Sequence, residues 1–425
     1  MGIASMVLSS EQAGATPSIV PILLPEGFAR FGDAVLSADG STVVGGARQS
    51  GASPGSPGFL AFVWTRADGT RSIGELGPDA PDPTWFETSS VSGDGSRIAG
   101  WLENVPVVWE REVGTTVLPS LPAGTSPGSV RGISDDGRYV VGSAHDGGTT
   151  TRIEQLPGGG IVVIEAPRLV PVRWDLESDS VTALSTDRGV AYDVSNGGVA
   201  VGELDIDYPG LAGSIAAFRW DESGGPQFVP TGYAAFSPGW TDDVTRISAD
   251  GSTLVGRNID EAPAGVLGDL VQRAYAWSGE PGSDEHLPSE GLVLLDTPLN
   301  LNGVNRAQAT GVSADGSTIV GNYNAANAIS SPFVWTREAG FQDLVVLLTT
   351  LGVSMDAWRS LTVTDVSADG KTIIGSGRFS SGVAPSSIVT FVAVIPEPST
   401  ALLLGLGLSV LGARARPRRS RRATR

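Results

Sequence analysis

The chain contains no cysteine, which excludes disulfides, thiolate metal sites and cysteine nucleophiles. Histidine is almost as scarce. His145 and His286 are the only two, and each lies in a glycine- or acid-rich stretch that reads as a surface loop. A histidine-based triad or metal centre needs converging partners, and no HExxH, GxSxG or phosphate-loop pattern occurs. Basic residues are few as well, 28 against 46 acidic ones for a net charge of −18. Seven of the 28 are arginines crowded into residues 414–425; without them 21 basic residues face 46 acidic ones, a balance of −25. Such a body repels nucleic acid and anionic lipid, so nucleic acid is excluded as a partner and cations or basic partners are favoured. Long apolar runs are missing except at residues 401–413.

Glycine, by contrast, is abundant. There are 57 glycines and 28 prolines, yet hydrophobic residues still make up 40% of the chain. Disorder is improbable at that apolar content, and the glycines imply many tight turns in an all-β fold. A length of 425 residues exceeds one ordinary core, which points to several domains or to repeats.

Repeats are present. The phrase Val312-Ser313-Ala314-Asp315-Gly316-Ser317-Thr318-Ile319-Val320-Gly321 recurs seven times, led by Ser37, Ser92, Ser134, Ser195, Ser248, Ser313 and Ser367. The mean spacing, about 55 residues, is slightly longer than a propeller blade of roughly 40–50. Serine at i, aspartate at i+2 and glycine at i+3 suit a type I turn closed by a left-handed glycine, predicting a three-residue hairpin loop. The repeated aspartates Asp39, Asp94, Asp136, Asp250, Asp315 and Asp369 are therefore read as turn residues rather than as a ring of ligands. Repeat four, Ser195-Asn196-Gly197-Gly198, is one residue shorter, and its Asn-Gly pair predicts a two-residue type I′ hairpin.

β-Branched and apolar residues flank each turn, as in Thr42-Val43-Val44, Tyr139-Val140-Val141 and Thr372-Ile373-Ile374, and each run ends in glycine (Gly45, Gly142, Gly375). These read as strands buried on both faces, with the glycine admitting a closely approaching chain. A second phrase ends in tryptophan at Trp64, Trp109, Trp174, Trp220, Trp277 and Trp335, predicting a third strand whose rings fill the space between blades. A polar turn and a short apolar strand complete a four-stranded unit. Repeat seven reaches Pro396 without a fourth strand. Residues 20–27 resemble the fourth-strand segment at 117–124, and residues 17–27 are expected to close the ring by pairing into the last blade. The expected architecture is thus an all-β, seven-bladed β-propeller over residues 17–395. Before it, residues 1–16 are read as a leader or remnant signal peptide, and after it comes a C-terminal apolar helix.

The alternation of an aromatic-x-Trp phrase with Val-Ser-x-Asp-Gly-Ser-x-x-Val-Gly resembles the HAF-type repeats of bacterial extracellular proteins, over roughly residues 28–395. Ala or another residue stands where that family carries its naming histidine. Pro396-Glu397-Pro398, the apolar run at 401–413 and a basic end with Arg414, Arg416, Arg418 and Arg419 occur in the order of the PEP-CTERM sorting signal, which they resemble. Thirteen apolar residues are short for a span of roughly 20, but flanking residues can occupy the interface while arginines stop transfer and stay cytoplasmic. The resemblance implies an exosortase as partner, a membrane-tethered stage through the C-terminal helix, and release to the cell surface or matrix of a Gram-negative bacterium that secretes polysaccharide.

No catalytic residue is assigned from the sequence, and no cofactor or metal is expected, although acid pairs such as Asp205/Asp207, Asp242/Asp243 and Asp175/Glu177/Asp179 could hold calcium. Six of the ten tryptophans fall at the third-strand position and are read as core. Trp85, Trp101, Trp240 and Trp358 lie off it and are the candidate ligand contacts. The expected function is a non-enzymatic surface or matrix protein that binds extracellular polysaccharide or another surface protein. The alternative is a propeller glycan lyase or hydrolase using loop carboxylates.

Overall fold

The computed structural model describes residues 16–49, 58–76, 86–103, 105–111, 113–124, 128–155, 161–208, 211–229, 243–260, 271–279, 291–298, 306–324, 330–380 and 387–396. They form seven four-stranded antiparallel sheets. β1 (Ser18–Ile22) precedes the first blade, which comprises β2 (Phe28–Leu36), β3 (Thr42–Gln49), β4 (Phe59–Thr65) and β5 (Gly69–Ser72), hydrogen-bonded in chain order. Five more sheets repeat that order. The seventh supplies only Trp358–Val366, Thr372–Phe379 and Ser387–Val394, and β1 completes it by pairing antiparallel to the last of these, Ser18 opposite Val394 and Ile22 opposite Thr390. The expected seven-bladed propeller and its closure by the opening segment are both present.

The repeated turn explains why Ser and Asp recur. In blade six, Gly316 N–H donates to the Ser313 carbonyl (3.0 Å), and Ser313 N–H donates to the Thr318 carbonyl (2.9 Å). With its own carbonyl occupied, Ser313 accepts the Thr318 N–H at Oγ (3.0 Å) while donating that hydroxyl to Asp315 (2.8 Å). Asp315 also accepts the Ser317 N–H (3.0 Å). The serine side chain thus substitutes for a ladder carbonyl, and all seven leading serines are buried. Four residues separate the paired Ser313 and Thr318, one more than the three-residue loop expected, because the hydroxyl rather than the backbone closes the ladder. Gly316 lies in the left-handed region (φ +71°) and packs so closely on Thr253 of the preceding blade that no β-carbon fits.

Repeat four departs from its expected type I′ turn. Only Gly198 has positive φ (75°), and Ser195 N–H donates to the Val199 carbonyl (2.9 Å). That is the three-residue loop with a left-handed glycine, reached by deleting one residue from the longer form.

The turns also join the blades into a closed chain of hydrogen bonds. Asp39 N–H donates to Gly93 O, Gly93 N–H to Asp135 O, Asp136 N–H to the Asn196 side chain and Asn196 N–H to Ala249 O. Asp250 N–H then donates to Ala314 O, Ala314 N–H to Ala368 O and Ala368 N–H to Ala38 O. Seven bonds, one between each neighbouring pair of blades, rivet one end of the ring.

Apolar clusters fill the spaces between blades. Each second-strand glycine faces a third-strand side chain, Gly45 opposite Phe62, Gly142 opposite Val172 and Gly375 opposite Phe391. At Gly142 the carbonyl of Ser129 occupies the space a β-carbon would need, so close approach rather than turn geometry demands glycine there. The one α-helix among the described residues, α1 (Leu344–Thr350), is capped by Asp343 accepting the Val346 N–H (3.0 Å) and buries Leu344, Leu347 and Leu348 against blades six and seven. No described helix is long and apolar enough to cross a membrane. The expected apolar helix at 401–413 and the leader at 1–16, apart from residue 16, lie outside the described residues.

Candidate functional site

In a repeat protein, residues that hold the fold recur and residues that serve a site break the pattern. Two positions on the innermost strand of each blade break it. Every innermost strand carries a β-bulge just before its turn, for instance between Ala191 and Asp193 or between Val363 and Asp365. Three residues before the leading serine stand Ala34, Ser89, Arg131, Tyr192, Thr245, Thr310 and Thr364. Hydroxyls at this position donate to the next blade: Ser89 to Val130 O (2.8 Å), Thr245 to Ala309 O (2.8 Å) and Thr310 to Val363 O (3.2 Å). Blades three and four carry Arg131 and Tyr192 instead.

Two residues before the serine stand Val35, Ser90, Gly132, Asp193, Arg246, Gly311 and Asp365. Asp193 accepts the N–H groups of Val194 and, across the blade boundary, Ile247, both at 3.0 Å. Asp365 accepts those of Val366 (2.9 Å) and of Leu36 in blade one. Ser90 does the same for Ile133 (3.3 Å). These side chains satisfy backbone donors that the bulges release from the ladder.

Nine of these fourteen residues, Arg131, Tyr192, Asp193, Arg246 and Asp365 among them, line an axial channel whose void, about 70 Å³, has room for a few waters and falls far short of the ~300 Å³ of a small-molecule pocket. Asp135, in the turn position filled by Ala or Gly in most blades, enters the same channel from the turn end. Three carboxylates therefore share the channel with Arg131 and Arg246, and it is Arg246 whose charge attracts Asp193 and Asp365. Burial raises the Asp135 carboxyl to about 7, helped by the charges of Asp193, Asp365 and Asp136. Burial likewise raises Asp365 to about 6 and pushes Asp193 up, in both cases against the attraction of Arg246.

Raised carboxyl values mean that the folded chain binds these protons more tightly than the unfolded chain. Their contribution to stability therefore falls as pH rises from about 4 through 7. Asp135→Asn is expected to abolish much of that fall, so that the variant gains on the order of 2 kcal/mol relative to wild type between pH 4 and pH 8. Denaturant unfolding at the two pH values checks this; an unchanged difference would contradict it.

At the end away from the turns the channel opens into a polar cavity of about 480 Å³. Arg131, Tyr192, Glu203, Arg246 and Gln308 line it, and Arg246 is both its floor and the roof of the channel. Tyr192 donates its hydroxyl to Glu203 (2.9 Å), and Arg246 donates to the Thr245 carbonyl (2.9 Å). The walls are thus preset by their own hydrogen bonds.

The residues singled out in the sequence fare differently. Trp358 is core, packed on Phe379 and Phe391 (ring centroids 4.9 and 5.7 Å). Trp101 is half-buried between Glu87 and Pro106 on neighbouring strands. Trp85, Trp240, His286, Glu397, Pro398, Arg414, Arg416, Arg418 and Arg419 lie outside the described residues; Pro396 is half-buried just past the last strand. His145 is buried, not a surface residue. It lies in the strand Tyr139–Gln155 with its ring 2.9 Å from the Gly148 carbonyl.

Of the acid pairs, Arg138 holds Asp175 (3.0 Å) and Glu177 (3.1 Å) and Arg188 holds Asp205 (2.9 Å), while Asp242 lies outside the described residues. Among the described residues no group of three or more metal-ligating side chains converges.

No family model matches the chain, and no curated protein matches it. Solved structures do. The β-propeller domain of the Trilobed protease from Pyrococcus furiosus is similar at 11% identity, covering 86% of this chain and 93% of that one with a TM-score of 0.50. An oligogalacturonate lyase in complex with manganese is similar at 14% identity over 89% of this chain and 93% of that one, with a TM-score of 0.49. The likeness is one of fold. Chemistry has to come from this chain's own residues.

Proposed function

We propose that this chain is a non-enzymatic, exported propeller that binds extracellular polysaccharide at the channel mouth. In this reading an exosortase recognises Pro396, Glu397 and Pro398, after the apolar segment and its arginines have held the chain transiently in the inner membrane. The observation that carries the binding role is the mouth itself. It is a cavity of ligand size, placed where blades three and four abandon the repeated hydroxyl for Arg131 and Tyr192. Its two guanidinium groups suit the carboxylates and vicinal hydroxyls of an acidic sugar, and its Tyr192–Glu203 bond fixes acceptors beside them.

The glycan lyase or hydrolase reading asks for two carboxylates across a cleft that admits a sugar. Asp135, Asp193 and Asp365 converge, but in a space for a few waters, and two of them are engaged with backbone N–H groups. That arrangement favours recognition over turnover.

A glycan array and a polysaccharide pull-down with the full-length protein provide the test. Retention of uronate-bearing polysaccharide is expected, weakened roughly tenfold or more by Arg131→Ala. Depolymerisation of a glycan by purified protein, abolished by Glu203→Gln or Asp365→Asn, would replace this reading with the enzymatic one.

A further inference from the structure

The opposite end of the ring holds a second cleft, of about 610 Å³, between blades five and six. Trp335 lines it. By register this is the packing tryptophan of the repeat, opposite Ile319 as Trp64 is opposite Val43 and Trp174 opposite Val140. Its five counterparts are all buried, from 1% to 8% exposed, whereas Trp335 is only half-buried. A difference in chain length accompanies this. Three or four residues join third and fourth strands in the other blades that have both, but fourteen separate Trp277 from Leu292 in blade five.

Around the indole stand charged groups of both signs: Arg337 and Glu338 on the exposed turn after the tryptophan strand, Asp315 and Asp369 in two repeated turns, and Lys371. Each aspartate is anchored through one oxygen by its turn serine and a backbone N–H, Asp315 at 2.8 and 3.0 Å and Asp369 at 2.7 and 3.0 Å; the Ser317 side chain also bonds Asp315, and Lys371 pairs loosely with the second oxygen of Asp369 (3.8 Å). A carboxylate so fixed retains lone pairs for further donors. A partly exposed aromatic ring beside preset acceptors and cationic donors matches a pyranose, which has an apolar C–H face and a hydroxyl edge.

We infer that the Trp335 cleft is a second saccharide site, binding a neutral pyranose unit, on the face opposite the channel mouth. It goes beyond the mouth site and depends on none of its residues. Two sites on opposite faces would let one propeller contact two glycan strands.

The test is oxidation of Trp335 by N-bromosuccinimide, followed by mass spectrometry on the full-length chain, with cellohexaose, mannohexaose or maltohexaose present or absent. At least one probe is expected to slow modification of Trp335 roughly tenfold at saturation. The protection should weaken in Arg337→Ala and Glu338→Gln, which alter exposed turn residues and spare the core, and should persist in Arg131→Ala. Equal oxidation with every probe would overturn the inference, as would protection that survives both turn variants or disappears in Arg131→Ala. None of these outcomes touches uronate binding at the mouth, which is read separately in the pull-down.

Discussion

A chain that begins at Gly27, and so lacks β1, is expected to lose its monomeric fold rather than merely to loosen at one end. Removing β1 strips five ladder positions from the strand Ser387–Val394 and takes Ile22 out of a cluster with Ile374 and Val392. The lost burial and hydrogen bonds are worth on the order of 5 kcal/mol, comparable with the entire net stability of an ordinary domain. The three-stranded remainder also presents a bare edge whose side chains include the buried Phe391 and Val392, a template for pairing with another chain. Light scattering should show oligomers or aggregates, and thermal unfolding should lose its sharp transition. A monomer with unchanged unfolding would contradict the closure.

Gly142→Ala is the point substitution with the largest expected cost. The new methyl group would overlap the Ser129 carbonyl and the Val130 α-carbon, both backbone atoms on a bulged strand that cannot move without breaking its ladder. A loss of about 3 kcal/mol or more is expected in chemical denaturation. Gly197→Ala is the matched control. Its nearest neighbour is the Ser195 hydroxyl at 3.8 Å and its φ is not positive, so a change under about 0.5 kcal/mol is expected. Equal effects at the two glycines would remove the close-approach argument.

The turn phrase was legible because its chemistry is local. Ser, Asp and Gly at fixed offsets satisfy one another within six residues, and the same bonds recur in blade after blade. Closure was legible for a similar reason, since a last repeat without a fourth strand needs one and the opening residues have the right pattern. The loop length was not, because whether Ser313 closes its ladder through a carbonyl or a hydroxyl leaves the same residues in the same order.

The channel was harder still. Asp193, Arg246 and Asp365 occupy one repeat position, two before the leading serine, where neighbouring blades carry Val35, Ser90, Gly132 and Gly311. That contrast is visible in the aligned repeats, but only the ring geometry places the three side chains on a common axis. Asp135 gives a weaker signal, an acid where most sister turns carry Ala or Gly. Trp335 was assigned to the core by its register, correctly for its five counterparts. Its greater exposure accompanies a fourteen-residue interval between Trp277 and Leu292 in the preceding blade, which the motif around Trp335 does not reveal. Trp358 erred in the opposite direction: it lies off the repeated position yet is buried, opposite Phe379 at the end of the blade away from Ala393, which stands where the others have tryptophan.

The ring closure on which the whole account rests can be tested by cross-linking, made unambiguous by the absence of native cysteine. In an antiparallel ladder, adjacent residue pairs alternate between hydrogen-bonded and non-hydrogen-bonded, with α-carbons roughly 5.5 and 4.5 Å apart, within disulfide range. Two double variants, Ile19→Cys with Ala393→Cys and Val20→Cys with Val392→Cys, therefore sample one pair of each kind. On oxidation of the dilute full-length protein, at least one is expected to yield an intramolecular disulfide between the two ends of the propeller, identified by peptide mass spectrometry. If both variants fold yet remain reduced, or form only intermolecular bonds, the opening strand does not close the last blade and the account fails.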